Sequence, residues 1–259
     1  MTQILNKAII QVKNLDKFFE VGSQKVPVLK RITFEVKTGD FMIIFGPSGC
    51  GKSTLLHTIL GLEEPSSGWV SFLGKDVYEA GLGEPTSEDD RAEFRKRNVG
   101  IVYQQPNWIK SLTVLQNVAF PLLLMGIGKE KRNSRALEVL QTMEMANWSS
   151  YLPSQLSSGQ QQKIALSRAL VTDPKVIIAD EPTGNLDFDS GQELMKLLTK
   201  LNEEGKTVVM VTHDLEYLGF ANTAMKMFNG EIIGTYRGND KEKLLKVVEG
   251  KRGTGGGHV

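Results

Sequence analysis

From Gly46 to Ser53 the chain reads Gly-Pro-Ser-Gly-Cys-Gly-Lys-Ser, with Thr54 next. This fits the spacing G-x-x-x-x-G-K-[ST], in which small residues let successive backbone N–H groups converge on phosphate oxygens. Gly46, Pro47, Ser48, Gly49, Cys50, Gly51, Lys52, Ser53 and Thr54 are therefore candidate contacts to a nucleoside triphosphate. Lys52 would bring a point charge to the β- and γ-phosphates, and Ser53 a hydroxyl for Mg²⁺. Cys50 fills a variable position and needs only to be small.

A second group lies far along the chain, where the apolar run 176–179 ends in Asp180 and Glu181. An acid pair after a strand is more often a solvated turn. Beside a phosphate loop it becomes a place to hold a metal with one carboxylate and a water with the other. Asp180 is the candidate on the metal side and Glu181 the candidate for polarising the attacking water.

The elements around these residues have the pattern such chemistry needs. Residues 9–12, 32–36 and 41–45 read as strands, the last running into the glycine loop, and 52–60 reads as a helix stopped by Gly61. After a Gly/Pro/Ser-rich stretch at 79–88, a charged helix is expected over 89–97 and a strand over 99–103. Residues 111–154 look mostly helical, with Ser134 opening one helix and Ser157 capping another that runs to about Val171. A helix near 191–201 and a strand at 207–211 complete an alternation that implies α/β architecture with a mostly parallel core sheet flanked by helices. Asn229-Gly230 signals a type I′ hairpin turn.

The composition agrees with one large domain. The 259 residues are 40% hydrophobic and 24% charged, with a formal net charge of +1 that gives no footprint for nucleic acid, and no nucleic-acid partner is expected. With one cysteine, Cys50, the chain cannot form an internal disulfide, which suits a reducing compartment. The longest apolar stretch, 118–127, is broken by Pro121 and falls short of the roughly 20 residues that span a bilayer. If the chain serves transport, the pore is expected in another polypeptide.

Residues 156–162, Leu-Ser-Ser-Gly-Gln-Gln-Gln, resemble the LSGGQ signature of ABC ATPases. The resemblance covers about residues 8 to 237. It implies a P-loop NTPase fold of ABC type with an N-terminal antiparallel β subdomain and an inserted helical subdomain at about 105–160. The ATPase domain would span 1–237, followed by a C-terminal helix at 238–250 and a flexible tail at 251–259.

The resemblance also assigns roles. The signature residues Ser157, Ser158, Gly159 and Gln160 would face the γ-phosphate held by a second copy of the chain in a head-to-tail homodimer binding ATP and Mg²⁺. Ser158 departs from the family, which has glycine there. Gln104 corresponds to the Q-loop glutamine, reaching Mg²⁺ or water; residues 182–187 resemble the D-loop; His213 corresponds to the switch histidine; and Phe19 fits the aromatic that stacks on adenine, with Phe18 its competitor. Lys52, Gln104, Glu181 and His213 form the implied catalytic set, and Ser53, Gln104 and Asp180 the implied metal ligands.

The helix at 89–97, the segment 117–122 and Gly184-Asn185-Leu186-Asp187 are most similar to the macrolide-exporter and lipoprotein-release branch. The implied partner is an integral membrane permease, and the implied place the cytoplasmic face of the cell membrane. The alternative within that branch is a mechanical signalling ATPase acting on cell-wall hydrolysis through its membrane partner.

Overall fold

The computed structural model describes residues 7–79 and 87–253. In chain order the elements are β1 (Ala8–Val21), β2 (Gln24–Lys37), β3 (Phe41–Phe45), α1 (Lys52–Ile59), β4 (Ser67–Phe72), β5 (Lys75–Glu79), α2 (Glu88–Asn98) and β6 (Val99–Tyr103). They continue with α3 (Val114–Leu124), α4 (Lys129–Thr142), α5 (Ser158–Leu170), β7 (Val176–Asp180), α6 (Phe188–Glu203), β8 (Thr207–Thr212), β9 (Thr223–Phe228), β10 (Glu231–Arg237) and α7 (Gly238–Gly253). The strands form two sheets, β2-β1-β4-β5 and β10-β9-β3-β8-β7-β6. The first is antiparallel; in the second, β3 runs parallel to β9 and β6 parallel to β7, while β9 and β10 are antiparallel.

Contacts divide the chain into two compact units, Met1–Pro85 with Val209–Val259, and Thr86–Val208. In the first, β3 is buried along its whole length, as a near-continuous apolar strand of a covered parallel sheet must be. The β1–β2 hairpin is longer than the alternation in the sequence suggests. Register shifts interrupt it, and Asn14 and Arg31 sit at φ 46° and 49°, so the period of two breaks where bulges occur. The expected turn at Asn229-Gly230 has φ 50° and 80°, both positive as a type I′ turn demands, and Phe228 pairs directly with Glu231. The C-terminal helix runs to Gly253, three residues past its expected end, and residues 254–259 of the expected tail lie outside the described residues. Residues 80–86 of the expected loop do likewise.

In the second unit, the core of β7 (Val176, Ile177, Ile178 and Ala179) is fully buried, and α5 packs on β6. Helices α3, α4 and α5 pack on one another. Pro121 lies inside α3 and does not end it. Helix α4 begins at Lys129 behind the cap position Gly128, five residues before Ser134; its first turns carry charge instead of an apolar stripe, so periodicity does not register them. Helix α6 begins at Phe188, three residues before the expected Gly191, because Asp187 caps it by accepting from Ser190 N–H at 2.8 Å.

Candidate functional site

In the first unit the phosphate loop follows β3 and turns into α1 through Gly49 (φ 76°) and Gly51 (φ 102°). Gly51 occupies the cap position with no side-chain cap, which leaves the helix start shaped by backbone alone. Gly46 is required by close approach: a Cβ there would stand 2.2 Å from the Met227 carbonyl oxygen of β9 and 2.9 Å from Cys50 Sγ. The hairpin turn after β9 reaches the loop as well, since Gly230 N–H donates to the Cys50 carbonyl at 3.1 Å while the Gly230 carbonyl accepts from Lys30 N–H at 2.8 Å. Pro47, Ser48 and Gly49 are exposed, Ser53 and Thr54 half-buried and Cys50 buried. Lys52 is buried and its Nζ donates to the carbonyls of Gly46 at 3.0 Å and Pro47 at 3.1 Å. The ammonium is thus held against the loop's own backbone, where oxygen acceptors cluster.

Phe19 lies exposed on β1, opposite Val26, with Lys17 Nζ 4.6 Å from its ring centroid. Phe18 points to the other face of the strand, half-buried, and carries Lys25 Nζ at 4.4 Å. His213 is exposed just beyond β8, between buried Thr212 and Asp214, whose N–H donates to Thr212 Oγ1 at 2.9 Å.

In the second unit the parallel register of β6 and β7 pairs Tyr103 with Asp180, so Gln104 and Glu181 leave the sheet side by side at its C-terminal edge. That edge is where open parallel sheets bind ligands. Burial, and then the neighbouring Asp180 charge, push the Tyr103 phenol above its usual pKa. Glu181 adopts φ 46°, a left-handed conformation disfavoured for a residue with a Cβ, and the chain turns there into residues 182–187. Gly184 lies against Gln104: a Cβ at 184 would be 2.6 Å from Gln104 Nε2. Asn185 and Gln104 face each other through two long contacts of 3.4 Å.

The signature opens α5. Ser157 and Gln160 form a reciprocal capping box, with Gln160 N–H donating to Ser157 Oγ at 3.3 Å and Ser157 N–H to Gln160 Oε1 at 3.0 Å. Ser158 is exposed in the first turn of the helix, a right-handed position that has no need of glycine. Gly159 differs, because a Cβ there would meet Ser190 Oγ at 2.8 Å.

Sequence reasoning overlooked Gln162. It is 2% exposed, and its Nε2 donates to the carbonyls of Tyr103 at 3.1 Å, Gln104 at 3.2 Å and Pro182 at 2.8 Å. It reads as one of three glutamines in a row, yet Ala165, Leu166 and Ala169, three, four and seven positions on, are all buried, which is the helical spacing that marks its face as internal. Arg168 was missed too. Its guanidinium stacks 4.7 Å from the Trp108 ring, donates to the carbonyls of Pro106 and Asn107, and burial lowers its pKa.

A glycine loop between a buried strand and a helix, and a strand-end acid pair with a signature helix, define a nucleotide-binding ATPase of the phosphate-loop class. The sequence model of the ABC transporter family matches residues 29–184. An uncharacterized ABC transporter ATP-binding protein of Methanocaldococcus jannaschii is 42% identical over 225 residues, covering 87% of this chain and 98% of the relative. The macrolide export ATP-binding/permease protein MacB of Aggregatibacter actinomycetemcomitans is 36% identical over 248 residues, 95% of this chain and 38% of that longer protein. Among solved structures, a dimeric post-hydrolysis ATP-binding cassette bound to ADP and Pi superposes with a TM-score of 0.79 at 38% identity, covering 88% of this chain and 98% of that one. The chain belongs to the ABC transporter family, as an ATP-binding ATPase. Among the described residues, no helix is long and apolar enough to cross a membrane.

Proposed function

We propose that the chain powers a membrane permease of the macrolide-exporter or lipoprotein-release type, closing as a homodimer around two ATP molecules and reopening on hydrolysis. The observation that carries this reading is the edge formed by β6 and β7, which sets Gln104 beside Glu181 and folds residues 182–187 back over Gln104. Similarity to a macrolide export protein and to a dimeric cassette supports the branch and the second copy.

In this reading residues 46–54 wrap the phosphates, and Lys52 exchanges the loop carbonyls for β- and γ-phosphate oxygens. Glu181 orients and deprotonates the attacking water, with its left-handed backbone fixing the direction of the carboxylate. His213 donates to the γ-phosphate. Phe19 stacks on adenine once Lys17 withdraws from its ring. Ser157, Ser158, Gly159 and Gln160 of one copy present the start of α5 to the γ-phosphate held by the other, as a helix N-terminus favours an anion.

Ser53, Gln104 and Asp180 offer a hydroxyl, an amide carbonyl and a carboxylate, all hard oxygen donors that fit Mg²⁺. When bound, the ion would neutralise charge developing on the β- and γ-phosphate oxygens.

The helical region of about 105–160 would meet the permease at the cytoplasmic face of the membrane, through residues 107–124. Support comes from Leu123 and Leu124, 45% and 59% exposed, beside a cavity of about 570 Å³ lined by Phe120, Pro121, Leu124 and the basic side chains of Arg95, Lys96 and Arg168. Glu181→Gln tests the hydrolytic part. It should yield a stable ATP-bound dimer by size exclusion with turnover nearly abolished; a monomer that hydrolyses at the parent rate refutes the mechanism.

A further inference from the structure

We infer that Gln162 is a positioning residue for hydrolysis: one side-chain amide on the signature helix clasps the end of β6 to the chain just past Glu181, holding the catalytic carboxylate in register with Gln104. The inference deepens the reading above and rests on Glu181 as the residue that activates water.

The two strands are in register up to Tyr103 and Asp180, and beyond that pair Glu181 turns the chain into a left-handed conformation. Backbone carbonyls past the end of a ladder lack strand partners and must find donors elsewhere. Gln162 supplies them, to Tyr103 and Gln104 on one side and to Pro182 on the other. The three acceptors are carbonyls, so the amide can face them only through Nε2, and its two protons are shared among three oxygens. The Pro182 carbonyl lies in the Pro182–Thr183 peptide, one plane beyond Glu181, and because the proline ring fixes φ between the two planes, holding that carbonyl also restrains the Glu181–Pro182 peptide that flanks the catalytic residue.

The cost of this arrangement shows that packing alone does not explain it. Gln162 Oε1 is buried and, among the described residues, has no hydrogen-bond partner. An orphaned acceptor is unfavourable, and an apolar side chain of similar volume would avoid it. Glutamine therefore serves the three carbonyls at the expense of its own oxygen. The clasp also joins segments with different partners in the proposed assembly. The chain beyond Gln104 leads toward the permease-facing region, while residues 182–187 and the start of α5 face the second copy.

Gln162→Met removes the donor and keeps the length of the side chain; Gln162→Glu keeps an acceptor and removes the NH₂ group. Both are assayed in the full chain for ATP binding, for kcat and KM normalised to titrated ATP sites, and for ATP-driven dimerisation in the Glu181→Gln background. The expected result is a fall in kcat of at least about tenfold with KM within about threefold, and a dimer that still forms, because an interaction that orients the reacting groups is lost while ground-state binding persists. Parent-like kcat in either variant overturns the inference, as does a loss that disappears on normalising to titrated sites. Failure of Glu181→Gln itself to trap a dimer would instead refute the proposed function, so the two failures are distinguishable.

Discussion

Asn117 offers a demanding test of how the segment between β6 and α3 is held. It is 1% exposed, and its Nδ2 donates to the carbonyls of Ile109 at 3.2 Å, Leu112 at 3.0 Å and Thr113 at 3.0 Å, while its Oδ1 accepts from Ile109 N–H at 3.1 Å. Asn117→Leu nearly conserves shape and removes all four bonds. The Ile109 carbonyl keeps Leu112 N–H, and the Thr113 carbonyl keeps Asn117 N–H, so two groups lose their only described partner: Ile109 N–H and the Leu112 carbonyl. Each orphaned group costs about 1–3 kcal/mol, and because Ile109 and Leu112 are half-buried, water recovers part of that. The expected loss is about 2–4 kcal/mol of unfolding free energy, read from urea titrations followed by tryptophan fluorescence with unchanged m. Asn117→Asp retains the acceptor but presents a carboxylate to three carbonyls, and should be at least as destabilising. A loss below about 1 kcal/mol for the leucine variant would refute the assignment, since point substitutions in general centre near that value without breaking such a network.

Two further outcomes follow from the geometry. Gly159→Ala should forfeit the roughly 1 kcal/mol that alanine gains over glycine inside a helix, because the added methyl turns the Ser190 hydroxyl off Asp187 while Ser190 N–H keeps the cap of α6, for a net change within about 1 kcal/mol; Ser158→Gly, one residue earlier, should stay within about 0.5 kcal/mol in the same thermal or urea melt. Asp173 has its pKa lowered from 3.8, first by its hydrogen bond from Lys206, so the pair stabilises the fold above that pH and the contribution vanishes as pH falls through the lowered value. Asp173→Asn, which tolerates the φ of 53° there, should therefore cost no more than about 1 kcal/mol at pH 7, with a difference from the parent that shrinks as pH falls below 3.8, as measured by parallel titrations.

The strand β6 and the start of α5 were legible in the sequence because each is bounded by a chemical signal, the charged helix before Val99 and the capping Ser157. Strands β4 and β5 were not. Trp69, Val70, Ser71 and Phe72 make a short run, and the left-handed Gly68 before it exists because a Cβ there would strike the Asn14 carbonyl oxygen at 2.4 Å, a contact between distant parts of the chain. The phosphate loop and acid pair could be named from spacing, since their chemistry dictates residue type. For Gln162 the spacing to Ala165, Leu166 and Ala169 marks only an internal face; its role is set by three carbonyls brought to it by folding. Ser158 stood out in the sequence as the departure from the signature, whereas the close approach that calls for glycine at 159 comes from Ser190, distant in the chain.

The hairpin turn at Asn229-Gly230 ties the nucleotide loop to the order in which the chain is made. Met227 packs on Gly46 and Gly230 donates to Cys50, yet these partners leave the ribosome long after the loop does, by roughly 10 to 40 s at ordinary elongation speeds. Throughout that interval Gly46 has emerged without the strand that packs on it. A nascent chain would therefore gain its grip on nucleotide late and abruptly, when β9 and its turn arrive, which makes ATP binding a report that synthesis has passed residue 230.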